Sequence, residues 1–219
     1  MKNFLISIIL IPFFCFSQSK ESNSYSYLAL GDSYTIGESV KESERWPVQL
    51  YKSLKNKISY PTIIAKSGWT TDQLIDTLNN SNLKQYDIVS LLIGVNNQFR
   101  GYSIDNYKVE FENLLAKTIR YSNNKKNVFV LSIPDYGVTP FGQSRGKEKI
   151  YNEINAYNDI NRIISEKYNV MYFNITDISR RAENDLTLLA NDKLHPSEKM
   201  YAEWVNLMKL QILDSLKLN

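Results

Sequence analysis

The chain has 219 residues, 43% of them hydrophobic and 22% charged; it is long enough for one globular domain with a real core and too apolar for a disordered polypeptide. Its formal charge is only +3, and Lys and Arg are scattered among Asp and Glu rather than gathered in blocks. That excludes the electrostatic footprint of a nucleic-acid-binding protein and leaves a small-molecule partner as the default.

In chain order, the first stretch, MKNFLISIILIPFFCFSQ, carries one lysine and then an apolar run from Phe4 to Phe16. The run is short for a membrane span and ends in the polar segment SQSKESNS, the shape of a secretory signal. Cleavage is expected near Gln18, with residues 1–18 as the signal, residues 25–219 as one domain and no stable membrane insertion of the mature chain. Bulky Phe13 and Phe14 ahead of Cys15 do not resemble a lipobox, so lipid anchoring at Cys15 ranks below cleavage. Removing Lys2 and Cys15 takes the charge from +3 to +2 and leaves no cysteine, which excludes disulfides and thiol chemistry. The mature chain is expected outside the cytoplasm, secreted or periplasmic.

Beyond residue 25, short apolar runs alternate with longer helical patterns. SYLAL (26–30), PTIIA (61–65), IVSLLIG (88–94), NVFVLSI (127–133) and NVMYFNI (169–175) are apolar on both alternations, as strands covered on two faces are. Helical spacing runs through 46–57, with Pro47 in the first turn, and through 104–122. It also runs through 147–168, with Ile150, Ile154, Tyr157, Ile160 and Ile164 on one stripe, and through 197–218, with Ser197 as its cap. Five strands alternating with helices predict a doubly wound α/β domain with a parallel sheet.

Ligands in such folds bind beyond the carboxyl ends of the strands. The loops Gly31-Asp32-Ser33, Lys66-Ser67-Gly68-Trp69-Thr70 and Gly94-Val95-Asn96-Asn97 should therefore share one rim. The chain has a single histidine, His195. A lone histidine is more often a packing or surface residue than a catalyst, but here its company decides. Asp192 precedes it by three residues, a separation that a turn can close, and the segment follows the fifth strand back to the rim of Ser33. Asp192 can then hold the imidazole in one tautomer while His195 takes the proton of Ser33. The Ser33 N–H, the Gly68 N–H and the Asn96 amide supply three donors for a developing oxyanion.

In order, the blocks GDSY around Ser33, a glycine block at Gly68, GVNN around Asn96 and DKLH ending at His195 resemble the SGNH hydrolase superfamily, the GDSL esterases and lipases. GDS alone is a weak signal, whereas four ordered blocks, each after an expected strand, are a strong one. The resemblance implies a three-layer α/β/α, flavodoxin-like domain and serine esterase chemistry, with Ser33, Gly68, Asn96 and His195 as marker residues and Asp192 completing the triad. Two positions depart from the pattern: Tyr34 stands where the family name has Leu, and Asn97 stands where many members have Asp, a change in the supporting shell. The order Ser, Asp, His also occurs in α/β-hydrolases, but G-D-S-Y-T is not their G-x-S-x-G elbow. Asp32 is read as a cap for the turn that follows it.

Substrate contacts are expected from Trp69, Asn97 and Arg100, and from Tyr136 and Phe141 in the Gly- and Pro-rich loop 134–146, read as a lid. One histidine and no mature cysteine argue against a metal, and no cofactor is expected. The expected substrate is a small-molecule or glycan ester: an acyl ester or lysophospholipid first, a carbohydrate O-acetyl ester as the alternative with the same mechanism. A non-catalytic ligand-binding protein on a hydrolase scaffold is the alternative from another class.

Overall fold

A computed structural model of the protein describes residues 24–54 and 57–217. The signal-like segment 1–18, including Cys15, lies outside the described residues. Five strands, β1 (Tyr27–Gly31), β2 (Thr62–Ala65), β3 (Ile88–Leu92), β4 (Val128–Leu131) and β5 (Met171–Phe173), form one sheet in the order β2-β1-β3-β4-β5. Every pairing is parallel, so the molecule is a three-layer α/β/α sandwich with flavodoxin-like strand order.

The long helices are α2 (Trp46–Ser53), α3 (Thr71–Asn79), α5 (Ile104–Arg120), α7 (Lys147–Tyr168) and α9 (Glu198–Lys217). Four short ones, α1 (Ser33–Ile36), α4 (Val95–Phe99), α6 (Pro140–Gln143) and α8 (Thr176–Arg180), lie in the connections. The α2 and α9 helices pack together, while α3, α5 and α7 pack in succession. Trp46 of α2 meets Phe129 of β4 edge-on with centroids 6.3 Å apart, and Tyr107 of α5 packs on Tyr157 of α7 at 4.3 Å. Every residue of β1, β3 and β4 is buried, as continuous apolar runs require.

The outer strands differ from expectation. β2 and β5 are only half covered because the topology places them at the sheet edges, where one flank lacks a neighbour. The α3 helix was not expected, although a signature for it is present: the Thr70 N–H donates to Gln73 Oε1 at 3.2 Å, the reciprocal arm of a capping box. The apolar stripe of α7 is buried at Ile150, Ile154, Tyr157 and Ile164, with Ile160 half-buried. Ser197 caps α9, its Oγ accepting from the Met200 N–H at 3.4 Å. Among the described residues no helix is long and apolar enough to cross a membrane.

Candidate active site

At the carboxyl end of β1 the chain turns at once into α1. A side chain at Gly31 would meet the Leu92 carbonyl at 2.4 Å and Thr35 Oγ1 at 2.3 Å, so only glycine lets the strand end this close to β3. Asp32 then caps α1, its Oδ1 accepting from the Tyr34 N–H at 3.0 Å, the role read from the sequence. Ser33 follows as the first helical residue, its own N–H without an intrahelical acceptor. Tyr201 of α9 anchors the turn from behind by donating its hydroxyl to the Tyr34 carbonyl at 3.0 Å.

Asp32 is fully buried, and Oδ2 has no hydrogen-bond partner among the described residues. Burial pushes its carboxyl up to about 7, against the lowering effect of the Tyr34 N–H. A native carboxyl that keeps its proton above the unfolded value binds more protons than the unfolded chain between pH 3.8 and about 7, so stability falls as pH rises through that window. Asp32→Asn keeps the capping oxygen and removes the ionisation. In urea unfolding it should match the parent near pH 4.5 and exceed it at pH 7.5, by on the order of 2–4 kcal/mol. A parent and variant whose stabilities run parallel across that range would contradict this account of Asp32.

His195 and Asp192 sit on a tight loop rather than a helix. An antiparallel bridge joins Leu189 to Pro196, the Ala190 N–H donates to the His195 carbonyl at 2.8 Å, and Lys193 takes the left-handed φ of 59° at the tip. The Asp192 carboxylate is held at both oxygens. Oδ1 accepts from the backbone N–H groups of Leu194 (2.9 Å) and His195 (3.0 Å). Oδ2 pairs with His195 Nδ1 at 2.6 Å and accepts from Ser39 Oγ at 2.6 Å. Partial burial pushes this carboxyl up, but the hydrogen bonds from Ser39, His195 and Leu194 outweigh it and hold it at about 2. Asp192 is therefore ionised across the neutral range. The Tyr34 ring packs edge-on to the imidazole at 5.9 Å.

Ser33, Gly68, Asn96, Asp192 and His195 line one cleft of about 420 Å³. Ser33 Oγ makes no hydrogen bond to a described residue, His195 included; such contacts are often loose before substrate binds. Gly68 takes φ +84°, a conformation that favours glycine. Asn96 donates one amide hydrogen to the Trp69 carbonyl at 2.9 Å, which orients the amide and leaves its second hydrogen available.

The other expected contacts divide. Tyr136 and Phe141 line the cleft, but their segment is a packed wall rather than an irregular lid: a 3-10 turn at Tyr136–Val138 runs into α6. Asp135 fixes it, with Oδ1 accepting from the Gly137 N–H at 2.9 Å and Oδ2 from Arg180 Nε at 3.0 Å. Asn97 is corrected: it is fully buried, and both ends of its amide are engaged by Thr71, at 3.1 and 2.7 Å. It clamps α3 to α4 and has no amide group free for a substrate. Trp69 and Arg100 are not among the cleft-lining residues. Trp69 packs half-buried on the core, and Arg100 donates to the Gly68 carbonyl at 2.6 Å, holding the Gly68 loop.

Ser67 and Val95, from two of the loops expected on this rim, also line the cleft, as do Phe99, Glu38, Ser39 and Leu194, which were not expected. Phe99 packs against Phe141 and Tyr136, each at 6.1 Å, and Arg145 stacks over Phe141 at 4.2 Å. Part of the cleft wall is thus aromatic. Ser67 hydrogen-bonds Glu38 at the rim.

The model of the GDSL-like Lipase/Acylhydrolase family matches residues 29–203. Among solved structures, TesA superposes with a TM-score of 0.67 at 15% identity, over 87% of this chain and 99% of its own. Axe2, an acetylxylan esterase from Geobacillus stearothermophilus, gives 0.65 at 18% identity over 86% and 94%. The psychrotrophic esterase EstA from Pseudoalteromonas sp. gives 0.59 at 21% identity over 89% and 98%. No curated protein sequence matches the chain.

Proposed function

Because the chain belongs to the GDSL-like Lipase/Acylhydrolase family, and is on that ground an ester hydrolase, we propose that it cleaves carboxylic esters through a covalent acyl-enzyme formed on Ser33. The observation that carries this reading is the hydrogen-bonded Asp192–His195 pair on the lip of the same cleft as Ser33, Gly68 and Asn96. In the first half-reaction His195 Nε2 takes the hydroxyl proton as Ser33 Oγ bonds to the ester carbonyl carbon. The carbonyl oxygen, now anionic, accepts from the Ser33 and Gly68 N–H groups and the free Asn96 amide hydrogen. Collapse expels the alcohol, which leaves with the proton held by His195. Water repeats the sequence on the acyl-enzyme, releasing the acid and restoring Ser33. Asp192 remains ionised and stabilises the imidazolium.

Phe99, Tyr136 and Phe141 form the apolar wall against which an acyl group lies, which favours acyl esters, lysophospholipid-type esters included, over a polar leaving group as the part recognised in the cleft. The protein acts outside the cytoplasm after removal of residues 1–18. Amino-terminal sequencing of the exported protein tests that cleavage, and an intact Met1 would contradict it. Hydrolysis of p-nitrophenyl esters from acetyl to palmitoyl, beside lysophosphatidylcholine and acetylated xylan, tests the function. Turnover of acyl esters is expected. A preference for the xylan would move the assignment to carbohydrate deacetylation, and ligand binding without turnover of any ester would leave a binding protein.

Asn96→Ala should lower kcat by about 10²–10³-fold with little change in KM, because its amide meets charge that develops only in the transition state. Steady-state kinetics on the best ester checks this, and an unchanged kcat would remove Asn96 from the oxyanion site.

A further inference from the structure

Ser39 lies in the loop after α1, six residues beyond the nucleophile, yet its hydroxyl reaches across 153 positions of sequence to Asp192 Oδ2 at 2.6 Å. That oxygen is the one paired with His195 Nδ1. Ser39 also holds a left-handed φ of 65°, one of three non-glycine residues to do so among the described residues. At such a position glycine is relaxed and a β-carbon strained, and the serine here supplies a hydroxyl that glycine would lack. Asp192 Oδ1 is already satisfied by two backbone N–H groups of its own turn. The Ser39 hydroxyl is therefore the group that joins this carboxylate to the segment bearing Ser33.

We propose that Ser39 is a positioning residue that docks the acid–base loop against the nucleophile segment and shares the carboxylate oxygen on which His195 depends. The proposal rests on the reading of Ser33, His195 and Asp192 as the reacting set. A carboxylate oxygen shared between two donors stabilises an imidazolium less than one devoted to a single N–H. Removing the hydroxyl therefore leaves that oxygen to His195 alone and loosens the spacing between base and nucleophile. The other ionisable groups around the pair are the Tyr34 phenol edge-on to the ring, Glu38 on the cleft rim, Lys193 at the loop tip, and buried Tyr201 and Asp32 behind Tyr34. Replacing Ser39 alters none of them.

The test uses two variants of the mature protein. Ser39→Ala keeps the backbone strain and removes the hydroxyl, whereas Ser39→Gly removes both. Because the sequence holds one histidine, its imidazole resonances can be followed by NMR without ambiguity. Both variants should shift the His195 Nδ1–H resonance, which reports its hydrogen bond to Asp192 Oδ2, and lower kcat about 5- to 10-fold with KM within twofold. An unchanged Nδ1–H resonance and an unchanged kcat in both variants would overturn the proposal. So would a change confined to melting temperature, which is all that a merely structural turn residue would produce. If the parent hydrolyses no ester and both variants still shift that resonance, the Ser39 contact stands and only the ester-hydrolase reading falls.

Discussion

Ser33→Ala should abolish ester hydrolysis, lowering kcat by about 10⁴-fold or more, and leave the fold intact. Both halves follow from the position of the side chain. Ser33 Oγ is engaged by no described residue, so its loss leaves no buried partner unsatisfied, and the methyl group that remains occupies the same turn. The Asp32 cap, the Gly31 approach to Leu92 and the Tyr201 bond to the Tyr34 carbonyl all survive. The melting temperature should move by no more than about 2 °C. Thermal unfolding measured beside hydrolysis of a p-nitrophenyl ester separates lost chemistry from lost structure. A folded variant that still turns over substrate would remove Ser33 from the reaction.

Asp192→Asn should cost about 10⁴-fold in kcat, and the hydrogen bonds around the carboxylate say why an isosteric change does so much. Two backbone N–H groups converge on Oδ1, so the single oxygen of an asparagine would be kept there and its NH2 would face His195. Nδ1 would then have to accept rather than donate, which puts the ring proton on Nε2, the nitrogen that must receive the proton of Ser33. The substitution locks the wrong tautomer while preserving shape. Because the Asp192 carboxyl is held at about 2, the parent should show no loss of rate from this group above about pH 4. Its stabilising contribution is fully present above the ordinary carboxyl value of 3.8 and is lost as pH falls toward 2. Kinetics of the variant from pH 5 to 9 check the prediction, and activity within tenfold of the parent would contradict the orienting role.

Strands β1, β3 and β4 were legible because burial on both faces leaves an uninterrupted apolar run, whereas the edge positions of β2 and β5 depend on strand order, which periodicity does not encode. The α3 helix was missed because its amphipathic stretch is only nine residues and begins inside a loop read for chemistry, although Thr70 and Gln73 mark its start. The gathering of Ser33, Gly68, Asn96, Asp192 and His195 at one cleft was legible because each lies in a recognisable block downstream of a strand. Their chain neighbours were not. Asn96 and Asn97 are consecutive residues of a short helix and leave it about 100° apart, so Asn96 borders the cleft while Asn97 turns to Thr71. Phe99 was overlooked because nothing in NNQFR announces the one-turn helix that brings it beside Phe141. Ser39 was overlooked because its partner lies 153 residues away, a distance that only the fold closes.

The claim that Ser33 is the nucleophile is tested most directly by a fluorophosphonate, on which an activated serine displaces fluoride and forms a stable P–O bond. Intact mass and peptide mapping should show one phosphonyl group per chain, on Ser33, with hydrolysis lost in proportion to labelling, no adduct in Ser33→Ala and slowed labelling in Asp192→Asn. Label on another residue, or esterase activity that persists in fully labelled protein, would contradict the account.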